Sequence, residues 1–526
     1  MTVLSPGDTC WRIAQADRAA FLIDTEAYFS AVYEAIRGAR RSVMVLGWGF
    51  DPRTRLFPDG QDGPDDPDEI GAVLIALAKA RPEVEIRLLI WRSALPISAS
   101  QEFFPHRARR WFHGTGVQFR LDDAIPFGAC HHQKVVVVDD KVAFCGGGDI
   151  SVDRWDTPGH LDGDDRRMMP AQTCHAPRHE VMIVVEGAAA RALGDLARER
   201  WRLSTGHALE APEPVASDPW PDHVPAALTG VGVGIARTAP AWRRSESVSE
   251  ISKLNLAMIR SARELIYLEN QYFTSPLVAE ALAARLAEPE GPEVVLISTG
   301  QSPSWFDRLT MDRARATLIW RLRAEDVYGR FRAYYPTTPG GEPIVVHSKV
   351  AVIDDRFARI GSANLNNRSG GFDTECDVAI EATTRDERQA VSVFRDRLAG
   401  HFMGVTGDAV AKARVRRRGL IGAIDALDRD RRLAPIEPAP MTAFGRYVSA
   451  HHLGDPAGVA DSWRPGRRRE RIYAEARALR GLQSEIHNQG QVVGGRAGQA
   501  VERGEDVQDP DAAGDEHMVD TQDRQA

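Results

Sequence analysis

His132-Gln133-Lys134-Val135-Val136-Val137-Val138-Asp139 and His347-Ser348-Lys349-Val350-Ala351-Val352-Ile353-Asp354 share one pattern: His-x-Lys, four apolar residues, then Asp. The two copies lie 215 positions apart in a chain of 526 residues. With 15 His and only 6 Lys against 60 Arg, residue frequencies predict roughly 0.01 chance matches to this pattern. Both copies nevertheless carry Lys where the chain otherwise prefers Arg. Lys is a compact point cation, whereas Arg is a planar fork, so the choice points to a tight contact with one anionic group. The apolar run in each copy reads as a buried strand, and the rest of the chain as scaffold bringing the copies together.

Working outward, the landmarks around one copy recur around the other in the same order. Ile36-Arg37-Gly38-Ala39-Arg40 corresponds to Ile259-Arg260-Ser261-Ala262-Arg263, and each leads into an apolar strand followed by an aromatic residue, Phe50 or Phe273. Pro82-Glu83-Val84 corresponds to Pro292-Glu293-Val294, and Phe119-Arg120 to Phe331-Arg332. An ordered set of this kind indicates internal duplication. In the first half, helical spacing over 26–41 precedes a strand at 42–48, a helix near 69–80, a strand at 84–91, a helix near 100–113 and a strand at 116–120. Alternation of this kind predicts an α/β fold of layered sheets and helices. The expected divisions are a first lobe over 1–205, a Pro- and Ala-rich linker over 206–232, a second lobe over 233–405, a basic helical extension over 406–484 and a disordered tail over 485–526.

Composition sets the outer limits. An apolar content of 43% and a charged content of 27% are those of a globular protein, too long for one ordinary core. The formal charge of −8 argues against a wholesale nucleic-acid binder, so no stable nucleic-acid partner is expected. Five scattered cysteines, at 10, 130, 145, 174 and 376, form no C-x-x-C, which argues against a disulfide framework or a zinc site. Cys145 and Cys376 fall in strand-like runs and read as small core residues. Neither an apolar secretory leader nor a run of ~18 apolar residues is visible. The expected location is therefore cytoplasmic or peripheral to a membrane, with signal-independent export as the alternative.

Side chains alternate along a strand, so His132 and Lys134 are expected on one face, as are His347 and Lys349. Imidazole titrates near neutrality, so one His can attack phosphorus while the other, protonated, donates to the leaving oxygen. The two Lys neutralise non-bridging phosphate oxygens as charge builds. Such chemistry suits a phosphodiester and calls for no metal and no cofactor. After a spacer of six residues behind each Asp come Gly146-Gly147-Gly148-Asp149 and Gly361-Ser362-Ala363-Asn364. There glycine permits close backbone approach and an Asn amide can donate to phosphate. A catalytic His also needs an acid on its second nitrogen. Glu375, 28 residues after His347, and Glu180 in the first half are the candidates.

The second copy, HSKVAVIDDRFARIGSANLNNRS over 347–369, resembles the phospholipase D superfamily in full. The first copy, HHQKVVVVDDKVAFCGGGDIS over 131–151, departs from that family pattern at Gly147 and Asp149. The resemblance covers about residues 20–400. Residues 266–273 and Asp153-Arg154-Trp155-Asp156 are similar to the lipid-acting branch rather than the small nucleases. What it implies is a two-lobed α/β/α pseudo-dimer with one active site at the seam. His132, Lys134, Asp139, His347, Lys349 and Asp354 form the catalytic set it implies, although the two Asp lean towards structural support. Glu180, Glu375, Asp149, Ser362 and Asn364 would assist. A phosphohistidine would form on His132 with His347 as general acid, the reverse assignment staying open.

The implied activity is hydrolysis of a glycerophospholipid to phosphatidic acid and its head-group alcohol, with transfer to another alcohol from the same intermediate. A phosphatidyltransferase of the cardiolipin synthase type is the alternative. A nuclease is the third reading, kept open by Arg-rich runs at 107–110 and 414–418. The chain is expected to work as a monomer, touching a membrane surface peripherally to reach its phospholipid substrate.

Overall fold

The computed structural model describes residues 2–58, 67–93, 105–437 and 442–481. One unit spans Met1–Arg477. Within it the first half contributes strands β1 (Arg12–Ile23), β2 (Ser42–Gly47), β3 (Glu85–Trp91), β4 (Gln118–Asp122), β5 (Val135–Val138), β6 (Val142–Gly146), the short β7 (Arg178–His179) and β8 (Val181–Gly187). The second half contributes β9 (Leu228–Ala239), β10 (Val248–Ser249), β11 (Leu265–Asn270), β12 (Glu293–Ile297), β13 (Phe331–Pro336), the short β14 (Val345–Val346), β15 (Lys349–Ile353), β16 (Phe357–Gly361), β17 (Glu375–Glu381) and β18 (Leu433–Pro435).

A single sheet runs β4-β3-β2-β5-β6-β8-β1 and continues β9-β17-β16-β15-β11-β12-β13-β18. Read outward from the β1–β9 pair, the halves match strand for strand. In both, three strands are parallel (β2, β3, β4 and β11, β12, β13) and the remaining pairs are antiparallel. The duplication read in the sequence is thus a pseudo-twofold between β1 and β9, whose register pairs Arg12 with Ile235 and Ala19 with Leu228. Among the described residues, β18, an antiparallel edge on β13, and β10, an antiparallel partner of β9, lack a first-half counterpart.

The four valines of β5 are all buried because sheet neighbours lie on both edges and helices cover its faces. Such a strand reads as continuous apolar sequence rather than alternation. Helices Thr25–Gly38 and Ile70–Ala80 cover one face of the first lobe, and their buried residues share a cluster with alternate residues of β2, β3 and β5. A second cluster joins both lobes, combining Val135 and Val137 with Val350, Val352 and helix Arg385–Met403. Cys145 and Cys376 meet inside it, their Sγ atoms 3.8 Å apart.

Two boundaries differ from the sequence reading. Strand β1 precedes the first element expected, and β9 begins at Leu228, inside the stretch read as linker. The helices Gly407–Arg417 and Leu420–Leu427, read as part of an extension, bury residues in the same two-lobe cluster. The expectation of a disordered tail over 485–526 lies outside the described residues. No helix among the described residues is long and apolar enough to cross a membrane.

Candidate active site

The spacing shared by the two motifs is explained at its two ends. Asp139 closes the β5 run in a left-handed conformation (φ 54°), and its carboxylate accepts from the backbone N–H groups of Arg40, Arg41 and Ser42 at 2.7–2.8 Å. Asp354 (φ 55°) does the same for Arg263, Glu264 and Leu265. Each Asp thus fixes the start of the neighbouring central strand, β2 or β11. At ~3.3 Å per residue, five residues of extended chain put Asp139 ~16 Å along the strand from Lys134. The two Asp therefore stand apart from the His–Lys pairs and hold backbone N–H groups, in keeping with structural support.

At the other end, the His segments leave their own lobe. His131 bridges to Thr374, and the His132 N–H donates to Thr374 O at 3.0 Å. Symmetrically, β14 pairs in parallel with β7, and the His347 N–H donates to His179 O at 2.9 Å. His132 and Lys134 consequently precede β5 instead of lying within it, and His347 precedes β15. Only Lys349 of the four enters a strand, and the lysine of each motif is the first charged neighbour of that motif's histidine.

That crossing changes the partners. Each His is followed in the opposing segment by the other lobe's acid. His132 Nδ1–H donates to Glu375 Oε2 at 2.9 Å, and His347 Nδ1–H donates to Glu180 Oε2 at 2.5 Å. The sequence reading set each acid beside the motif of its own half, and the structure exchanges them. With Nδ1 engaged, Nε2 is the nitrogen left for chemistry in each ring. Glu375 is held by hydroxyl donors from Ser362 at 2.5 Å and Ser369 at 2.6 Å. The Val181 N–H donates to Glu180 Oε1 at 3.2 Å.

Both lysines are buried. Lys134 Nζ donates to His132 O at 3.1 Å and lies 3.3 Å from Asp149 Oδ2, while Lys349 donates to His347 O. Asp149 also accepts from the N–H groups of Trp48 and Gly49 at 2.9 and 3.0 Å. The first motif's departures from the family pattern have physical causes. A Cβ on Gly147 would stand 2.4 Å from Glu180 Oε1, so the acid occupies the space a serine would need. In the second lobe that place is open, and Ser362 fills it and bonds Glu375. Asn364 is buried with its Oδ1 lacking a hydrogen-bond partner.

Burial dominates the electrostatics. It raises the Glu375 carboxyl to about 8 and also raises that of Glu180. Burial lowers the Lys349 ammonium to about 7, with Lys134 acting in the same direction. Both histidines are pushed well below the ordinary imidazole value, by burial first and by the lysines next. Lys134 is paired with Asp149, whereas the acids nearest Lys349, Glu180 and Glu375, are shifted towards their neutral forms by burial, so the pocket is suited to receive negative charge. Arg154 and Arg178 add to it beside His347. Neither was singled out individually in the sequence, although Arg154 lies in the quoted Asp153–Asp156 stretch and Arg178 two residues before Glu180. Ser369 was missed as well, because only the fold reveals its bond to Glu375.

A two-lobed α/β protein with paired His–Glu couples and lysines at its seam defines a class of phosphoryl-transfer fold. Family models agree: residues 35–216 match the phospholipase D model, and residues 256–398 match the model described as cardiolipin synthase, phospholipase D-like domain. The chain belongs to the phospholipase D superfamily. It is 25% identical over 474 residues to phospholipase D2 of Bos taurus, covering 69% of this chain and 49% of that one. It is 26% identical over 355 residues to cardiolipin synthase A of Pseudomonas fluorescens, covering 66% of this chain and 62% of that one. The chain therefore spans about half to three-fifths of these relatives' lengths. The phosphatidylserine synthase structure from Haemophilus influenzae shares the fold, with a TM-score of 0.50 at 12% identity, over 79% of this chain and 97% of that one.

Proposed function

We propose that the chain is a phospholipase D, cleaving the head-group phosphodiester of a glycerophospholipid to phosphatidic acid and an alcohol. The observation that carries the reading is the exchange of acids. His132 and His347 each have Nδ1 tied to a buried Glu of the opposite lobe, which leaves each Nε2 for chemistry, and both rings feel the same two lysines.

In the first step, His132 Nε2 attacks phosphorus and the bond from phosphorus to the head-group oxygen breaks. Protonated His347 gives its Nε2 proton to that oxygen, so the alcohol leaves neutral. In the second step, His347 takes a proton from water as the water oxygen attacks phosphorus. The phosphorus–nitrogen bond breaks, restoring both residues. Lys134, Lys349, Arg154 and Arg178 offset charge on the non-bridging oxygens in both transition states. An entering phosphodiester anion favours the protonated forms of His347 and Lys349 that burial disfavours in the empty pocket. The two serine donors on Glu375 anchor the acid behind His132 and support His132 as nucleophile.

Transfer to a second phospholipid, as in cardiolipin synthesis, begins from the same intermediate, and the match of residues 256–398 to the cardiolipin synthase model favours keeping that reading. Incubation with phosphatidylcholine, phosphatidylglycerol and single-stranded DNA separates the possibilities. Choline plus phosphatidic acid is the expected outcome. Cardiolipin from phosphatidylglycerol, without phosphatidic acid, would replace hydrolysis by transfer, and nucleotide release alone would overturn both.

A further inference from the structure

Behind the His347 segment lies a second cluster of side chains that the phosphodiester chemistry does not use. Asp24 precedes helix Thr25–Gly38, His160 lies in the polar loop before β7, His179 ends β7, and His401 stands in the last turn of helix Arg385–Met403 from the other lobe. Asp24 is 1% exposed, and His160 and His179 are fully buried. The four bring donor atoms within 4.8 Å of one another.

Three of those atoms face a common point. His160 Nε2 and His401 Nε2 are in hydrogen-bond contact at 2.9 Å, Asp24 Oδ2 is 3.2 Å from His401 Nε2, and Asp24 Oδ2 is 3.8 Å from His160 Nε2. Ligands at about 2.0–2.1 Å from a tetrahedral zinc ion are about 3.3 Å apart along each edge, close to the centre of those values. The tautomers fit too. Asp156 accepts from the N–H groups of Thr157 and Arg178, and His160 Nδ1–H donates to it at 2.8 Å. His160 Nε2 is thereby left with its lone pair directed at the point. Asp24 Oδ1 accepts from His179 Nδ1–H at 2.8 Å, and His179 Nε2 is held by Glu269 at 3.0 Å. Asp24 Oδ2, although buried, has no hydrogen-bond donor. A carboxylate oriented on one oxygen and orphaned on the other, beside two imidazole nitrogens, is the donor set of a borderline transition-metal cation.

We propose that Asp24, His160 and His401 hold a divalent cation of the zinc class, with His179 and Asp156 orienting the ligands. Because Asp24 and His160 belong to the first lobe and His401 to the second, the ion fastens the seam. It does so behind His179, whose carbonyl accepts from the His347 N–H. This role is structural and stands whether or not the chain is a phospholipase D.

The test uses the full chain, loaded with zinc sulfate or cobalt sulfate, desalted and assayed by elemental analysis. The expectation is about one retained equivalent per chain, with the intense visible bands of tetrahedral Co2+ and a melting temperature that falls on chelation. His401→Ala and His160→Ala should each lose that equivalent. Wild-type protein that retains no ion above the buffer blank, or a pale octahedral Co2+ spectrum, would overturn the proposal. So would a folded His160→Ala/His401→Ala protein that binds as much as wild type. Should the variants fail to fold, the wild-type stoichiometry and spectrum decide. None of these readouts depends on enzymatic turnover.

Discussion

At the level of single residues, exchange of the acids between lobes makes couplings that chain proximity would assign differently. Glu375→Gln keeps the shape but presents His132 with the wrong hydrogen-bonding partner, and losing such an orienter costs on the order of 10²–10⁴ in turnover. In a double-mutant cycle, His132→Ala with Glu375→Gln should be strongly non-additive, whereas His347→Ala with Glu375→Gln should couple less. The opposite ranking, read from kcat, would refute the assignment of couples. Gly147 is predicted to reject the serine of the family pattern. Gly147→Ser forces Glu180 off His347 and should lower stability by ~1–3 kcal/mol in urea unfolding, together with activity. The pH response follows from Lys349 and Glu375. In the empty site Lys349 loses its proton above about 7, and Glu375 gains negative charge above about 8. Both changes oppose an anion. Sulfate, whose charge is constant over this range, should therefore bind more weakly as pH rises from 7 to 9, by up to about tenfold per unit for one linked proton. Calorimetry should also detect proton uptake on binding, and pH-independent affinity would exclude the linkage.

At the level of elements, the terminal Asp of each motif can be separated from chemistry. Asp139→Ala removes the acceptor for three strand-initiating N–H groups and places Ala at positive φ, for a predicted loss of ~2–4 kcal/mol. Activity per folded molecule should stay near wild type, and Asp139→Asn, which tolerates the left-handed region, should lose less. A kcat collapse in a stably folded Asp139→Asn would return the residue to the catalytic set. Strands β2, β3 and β5 were legible because they are mostly apolar runs, broken inside β3 by Arg87 alone. Strands β1 and β9 were not: RIAQADRAAFLI mixes charge with alanine, and LTGVGVGIARTA is glycine-rich, so neither has a clean strand pattern. Their stability comes from pairing with each other across the pseudo-twofold. Glu180 and Glu375 were legible as acids heading apolar strands. Which His each one serves was not, because it depends on bridges such as His131–Thr374 between segments 243 residues apart. The Asp24–His401 cluster was hidden for the same reason: its members are spread over 377 positions.

At the level of the molecule, the proposed reaction on a bilayer lipid would proceed without a spanning helix among the described residues. The rim of the site offers a contact. Phe127 is 78% exposed and Trp463 68%, with ring centroids 5.2 Å apart. This pair is anchored to the active site, since Arg368 donates to Gly128 O at 2.9 Å and the Cys130 N–H donates to Asp373 Oδ1 at 2.8 Å, two residues before His132. Exposed aromatic rings favour the interfacial zone of a bilayer, where the apolar body is buried and the rim stays wet. A formal charge of −8 makes a zwitterionic surface more favourable than an anionic one. Phe127→Ala/Trp463→Ala should therefore lower turnover of phosphatidylcholine vesicles by about a hundredfold or more, reflecting ~1.5–3 kcal/mol of apolar contact per ring. Turnover of a short-chain, monomerically dispersed phosphatidylcholine should change little, because the His–Glu couples are untouched. Vesicle co-sedimentation should fall in parallel. An equal loss on both substrates would mean that the rings shape the site itself, whereas an unchanged vesicle rate would mean that the bilayer is met by another face.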